Sequence, residues 1–120
     1  MNEPVRLDAA AIERLRRLGG DKFAREMIGL FLTYVDQKIT EARRAQQAGN
    51  LPGVQKAVHP VKSSAGNVGA RCIQELAKQI EDSAKQQQGE AVDKLLTELE
   101  QAFADIKPDM EAEQAKLSAS

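Results

Sequence analysis

The chain has no tryptophan, one cysteine and one histidine, and its four aromatic residues, three Phe and one Tyr, are thinly spread over 120 positions. With Cys72 alone no intrachain disulfide can form, and a lone thiol suits a reducing cytoplasm, where we expect the protein to reside. One His and one Cys cannot supply a structural zinc set, and no H-E-x-x-H occurs, so no metal site is expected. Neither sign of charge dominates. Lys and Arg number 17 and Asp and Glu 18, for a net charge of −1, so no broad basic field gathers nucleic acid or anionic lipid. No run approaches the roughly 18 apolar residues of a membrane span, and MNEPVRLD lacks the basic and apolar regions of a secretory leader. Neither G-x-x-x-x-G-K-[ST] nor G-x-G-x-x-G is present, so nothing is built to cradle ATP. The expected partner is another protein.

What remains is rich in Ala, Leu, Gln, Glu, Lys and Arg, all good helix formers. No stretch alternates with period two over a strand's length. Asp8 reads as the N-cap of a first helix that presents Ile12, Leu15 and Leu18 and stops at Gly19-Gly20. Asp21 would cap a longer one carrying Phe23, Met27, Leu30, Phe31, Tyr34, Val35, Ile39 and Ala42, ended by Gly49-Asn50. Pro52 suits the first turn of the next, where Val54, Val58, Val61, Ala65 and Val68 form one apolar stripe. Ile73, Leu76 and Ile80 mark a fourth segment that frays into QQQG, and Val92, Leu95, Leu96, Leu99, Phe103 and Ile106 mark a fifth before Pro108. The fold class expected is all-α: an antiparallel up-down-up-down four-helix bundle with a short additional N-terminal helix. We take residues 1–120 as a single domain with its core over about 7–107, and 108–120 as a helix extension or loose tail. The heptad-like run from Val92 to Ile106 also admits a coiled-coil oligomerisation unit, although bundle cores look the same.

The histidine stands in AVHPVKSSAGNVGA, residues 57–70, and at about 100° per residue it lies roughly 140° from the centre of the apolar stripe. His59 therefore faces water. Lys62 and Ser63 follow it by one turn, Gln55 precedes it by one turn, and Gly66 lies beyond Ser63. An imidazole among short side chains and one cation suits a nucleophile that another protein must reach. A neutral ring nitrogen can attack phosphorus, and an ammonium one turn away can offset the roughly two negative charges gained. Lys62 flanks the core without filling it, so its loss should leave stability nearly unchanged. Acidic pairs such as Glu81-Asp82 read as solvated faces. Pro60 cannot donate to the carbonyl of Lys56 and disfavours helical backbone at His59, so the helix should kink near 56–60 or break and restart, and the unbroken register of the stripe from Val54 to Val68 favours the kink.

HPVKSSAGNVGA resembles the signature of histidine-containing phosphotransfer (HPt) domains, commonly H-x-L-K-G-S-[SA]-x-x-[LVI]-G-A, with His59, Lys62, Ser64, Ala65, Val68, Gly69 and Ala70 matching in position. Val61 replaces the usual Leu, Ser63 the usual Gly, and Pro60 falls at a variable position. The resemblance implies a phosphorelay intermediate, a carrier and not an enzyme with nucleotide or kinase motifs. His59 would accept a phosphoryl group through Nε2 from the aspartyl phosphate of a receiver domain and pass it to another receiver, with Lys62 steadying the phosphate. Gln55, Ser63 and Gly66 would lie beneath the docked receiver. The partners implied are response-regulator receivers and a hybrid sensor histidine kinase, without nucleic acid or membrane, and the carrier is expected to be monomeric. It needs no cofactor of its own, since the receiver brings the Mg²⁺. The alternative function is a phosphorylation-independent helical docking module for a receiver or kinase. The initial Met and the lack of kinase or receiver segments favour a free-standing shuttle.

Overall fold

The computed structural model describes residues 7–117. Four helices follow one another: α1 (Ala9–Gln47), α2 (Leu51–Val68), α3 (Arg71–Lys85) and α4 (Gly89–Lys116), with no strand among the described residues. α1 packs on α2 and α4, and α3 packs on α2 and α4, which closes the four into a ring around one core. That core takes Ile28, Phe31, Val35 and Ile39 from α1, the α2 valines, Ile73 and Ile80 from α3, and Leu96, Leu99 and Ile106 from α4.

The chain between Ala9 and Gln47 is helical except at Gly20, where φ 85° and ψ −179° leave the helix. Only glycine adopts that backbone readily. The break separates an arm over residues 9–19 from the long remainder, and Arg16 Nε spans it to Asp21 Oδ1 at 2.8 Å. Asp8 caps the arm, its Oδ1 accepting from Ala10 N–H at 3.0 Å. The Asp8 N–H in turn donates to the Gly69 carbonyl at 2.7 Å, which ties the start of the arm to the end of α2. Gly69 ends α2 with φ 78°, and a Cβ there would lie 2.5 Å from the Asp8 carbonyl oxygen, so both backbone and space require glycine.

Two apolar residues expected in the core lie outside it. Leu18 is 73% exposed and Leu30 63% exposed. The core-facing stripe of the long part of α1 is narrower than the run of apolar residues, passing through Ala24, Ile28, Phe31, Leu32 and Val35 and leaving Leu30 on the outer side. Leu18 sits beside the Gly20 break, at the end of an arm that turns Ile12 and Leu15 inward instead. At the other end α4 continues through Pro108 to Lys116, burying Met110, so 108–116 of the expected extension or tail is helix, and the chain leaves the helix at Leu117. Residues 118–120, the rest of that expected extension or tail, and 1–6 lie outside the described residues. Arg43 of α1 fastens the α1–α4 face, reaching Glu100 at 2.8 Å and Asp93 at 2.6 Å.

Candidate functional site

α2 begins where Asn50 accepts the Gly53 N–H at 3.0 Å, with Pro52 in its first turn. Val54, Ala57, Val58, Val61, Ala65 and Val68 are buried, and this fixes the rotation of the helix. His59 is then turned outward, its ring 65% exposed. Of the two outcomes expected at Pro60, the disfavoured break does not occur: α2 is one helix from Leu51 to Val68 with the proline inside it. Pro60 lies off the buried stripe, and the Lys56 carbonyl that loses its helical donor belongs to an exposed residue that water can serve.

The group that organises the site is Glu81 of α3, which pattern reading assigned to a solvated face. It is 2% exposed. Its Oε2 lies 2.7 Å from His59 Nδ1, and its Oε1 pairs with Lys62 Nζ, so one buried carboxylate holds both α2 residues. Burial opposes its ionisation most strongly, but hydrogen bonds and charge from Lys62 and His59 prevail and hold Glu81 below the usual carboxylate range. An ionised carboxylate only accepts, so Nδ1 carries the ring proton and, in the neutral imidazole, the lone pair is on Nε2. Nδ1 is turned toward the bundle and Nε2 is on the remaining edge of an exposed ring, so the lone pair of the neutral imidazole faces outward. The signal for Glu81 was present: it follows Ala77 by four and precedes Ala84 by three, both buried, so it sits in the apolar stripe of α3.

On one side of His59 an open groove of about 670 Å³ is walled by Leu15, Leu18, Phe23 and Met27 of α1 and by Ser63 and Gly66 of α2. The exposed Leu18 is thus part of an apolar surface beside the histidine. A Cβ on Gly66 would lie 2.7 Å from Gln74 Nε2, so the glycine keeps this wall low. Gln55 is not in the groove. It lines a second hollow with Leu51, Pro52 and Ala84, toward the other end of α2. The expected docking residues therefore lie on both sides of the imidazole.

The Hpt domain family model matches residues 26–107, which include His59, Lys62 and Glu81. The chain belongs to the Hpt domain family. Hpt domains are phosphocarriers that work with receiver domains and kinases in two-component phosphorelays, and this chain is such a histidine phosphotransfer intermediate. Among solved structures it is similar to histidine-containing phosphotransfer protein B of Pseudomonas aeruginosa PAO1, with TM-score 0.89 and 20% identity over 97% of this chain and 100% of that one. It is also similar to a rice protein assigned to the histidine-containing phosphotransfer proteins, with TM-score 0.81 and 21% identity over 92% of this chain and 80% of that one. At such identities the likeness carries the fold. No curated protein sequence matches. Among the described residues of the Hpt chain, no cluster of three or more His, Cys, Asp or Glu could hold a metal ion, and no helix is long and apolar enough to cross a membrane.

Proposed function

We propose that His59 is the phospho-acceptor of this Hpt domain and that Nε2 is the reacting atom. The observation that carries the reading is the 2.7 Å contact between Nδ1 and the buried Glu81, which leaves the outward nitrogen with the lone pair. In the forward step Nε2 attacks the phosphorus of a receiver aspartyl phosphate. The P–Nε2 bond forms, the P–O bond breaks, and the aspartate leaves as carboxylate. The Nδ1 proton stays on the ring, so the product is a phosphoimidazolium whose positive charge faces Glu81. Passing the group to a second receiver reverses these bonds, and the retained proton lets the ring leave as neutral imidazole.

Lys62 adds a positive charge at the same corner. Gln55, Ser63 and Gly66 form the docking surface with the Leu18–Phe23–Met27 groove. Mg²⁺ belongs to the receiver; the Hpt domain takes no cofactor. The partners are response-regulator receivers and a hybrid sensor histidine kinase. The chain acts as a monomeric single domain in the cytoplasm, without nucleic acid or membrane. The balanced charge supports the last exclusion. The fold is an up-down-up-down bundle whose short first helix is the arm before Gly20. The His59–Glu81 contact, ten residues before Gly69 and eleven after Ala70, supports the antiparallel path of α2 and α3.

The test is incubation with a panel of phosphorylated receivers. The wild type should acquire acid-labile phosphate and His59→Gln none, with equal helical circular dichroism. Receiver binding that survives His59→Gln while the wild type is never labelled would establish the docking-module alternative instead.

A further inference from the structure

Lys62 is committed before any phosphate arrives. Its ammonium pairs with Glu81 Oε1, and Glu81 is 2% exposed, so withdrawal of Lys62 strands most of a buried negative charge. A phosphoryl group on Nε2 adds about two negative charges at the ring edge opposite the one Glu81 holds. Another donor is closer in kind to what that edge needs. Ser63 follows His59 by four residues, on the same helix face, and helical side chains lean toward the N-terminus, so its hydroxyl leans toward the imidazole. Ser63 is exposed, and its hydroxyl donates only weakly, to the Pro60 carbonyl at 3.4 Å, well beyond the usual 2.5–3.0 Å for such a bond. Gly66, one turn further, lines the same open groove as Ser63, with the flexible Gln74 amide beside the glycine.

We propose that the Ser63 hydroxyl is the hydrogen-bond donor of this chain to a phosphoryl group on His59 Nε2, while Lys62 stays with Glu81. The inference rests on His59 being the acceptor. It assigns a second duty to a position otherwise read as docking surface, where the resembling motif commonly has glycine. Ser63 is a positioning residue: it holds the transferred group and takes no part in bond making.

Purified protein is phosphorylated with phosphoramidate, which needs no receiver, and the decay of phosphohistidine is followed by phosphorus NMR at neutral pH for the wild type, Ser63→Ala and Ser63→Thr. Loss of one hydrogen bond at a solvent-exposed site, in the ordinary range for such a bond, should make Ser63→Ala decay about three- to tenfold faster. Ser63→Thr, which keeps the hydroxyl, should match the wild type. The urea midpoint of the unphosphorylated proteins should not change among the three, which separates holding phosphate from holding the fold. Equal decay of wild type and Ser63→Ala would overturn the proposal while leaving His59 in place, as would a Thr variant that behaves like Ala or phosphate recovered on Ser63. A wild type that never carries phosphohistidine would take down the acceptor assignment and this inference together.

Discussion

Replacing Lys62 by Met should destabilise the protein, although the ammonium fills no part of the core. Met keeps most of the aliphatic stem and removes the charge. Glu81, 2% exposed, then retains only the ring N–H of His59 as partner. Breaking a buried ion pair by deleting one partner typically costs about 3–5 kcal/mol. Lys62 is itself 30% exposed and His59 still serves Oε2, so we expect the lower figure of about 2–3 kcal/mol. The reverse deletion is cheaper, because in Glu81→Leu both surviving groups can turn to water. The double variant Lys62→Met/Glu81→Leu should therefore recover to within about 1 kcal/mol of wild type, a coupling that a double-mutant cycle reads directly. The pH dependence follows from the same carboxylate. Its folded pKa lies below the ordinary 4.5, so its contribution to stability is present above that value and fades as pH falls through the lower folded one. In Lys62→Met burial is opposed by His59 alone, so the carboxyl takes up a proton at higher pH. The gap to wild type should be full at neutral pH and should close on acidification below about pH 4.5. Urea titrations of the four proteins at several pH values measure this. A Lys62→Met variant as stable as wild type at neutral pH, or a double variant no better than the single one, would refute the reasoning.

Glu81→Gln keeps an acceptor for Nδ1–H but removes the charge, whereas Glu81→Ala removes both. Transfer from a phosphorylated receiver should fall about tenfold in Ala, the equivalent of about 1.4 kcal/mol, and less in Gln, with nitrogen-15 NMR reporting the ring tautomer in each. Gly66→Phe should weaken receiver affinity at least about tenfold with a normal urea midpoint, since the added side chain displaces only the flexible end of Gln74, and calorimetric titration reads the affinity. Pro60→Ala restores a donor to the Lys56 carbonyl and should raise stability by about 1–3 kcal/mol at an unchanged transfer rate. A more stable but slower variant would mean that the proline contributes to transfer.

Much of this was legible because helices advertise one apolar face. The steps of three and four from Val54 to Val68 fixed the rotation of α2 and turned His59 outward, and every residue of that stripe is buried. Gly49-Asn50 and Pro52 marked the boundary before α2 by local chemistry that needs no tertiary context. Leu18 and Leu30 misled because hydrophobicity reports an apolar surface without saying whether the protein itself covers it. Gly19-Gly20 was readable as a stop between two helical stretches, and Gly20 is where α1 leaves helical geometry. At Pro60 the helix continues, since the penalty for an internal proline is limited where the bereaved carbonyl can reach water.

Glu81 escaped for a different reason, and the reason explains why this site depends on an accurate fold. A glutamate in an apolar stripe looks like a defect when α3 is read alone, and it becomes intelligible only when α2 brings a cation and a ring N–H to the same spot. The requirement is narrow. One residue along a helix turns a side chain by about 100°, and the neighbouring Asp82 is exposed where Glu81 is buried. His59 and Lys62, three apart on α2, offer their donors along one edge, and the two oxygens of a single carboxylate meet one each. Register across the Gly69–Ala70 turn therefore sets which ring nitrogen meets the carboxylate. The αL glycine that ends α2, the Asp8 bond to its carbonyl and the buried stripes of α2 and α3 all act on that register. In this chain the orientation of an exposed histidine is fixed by a buried acid, and the packing of two helices governs where that acid stands.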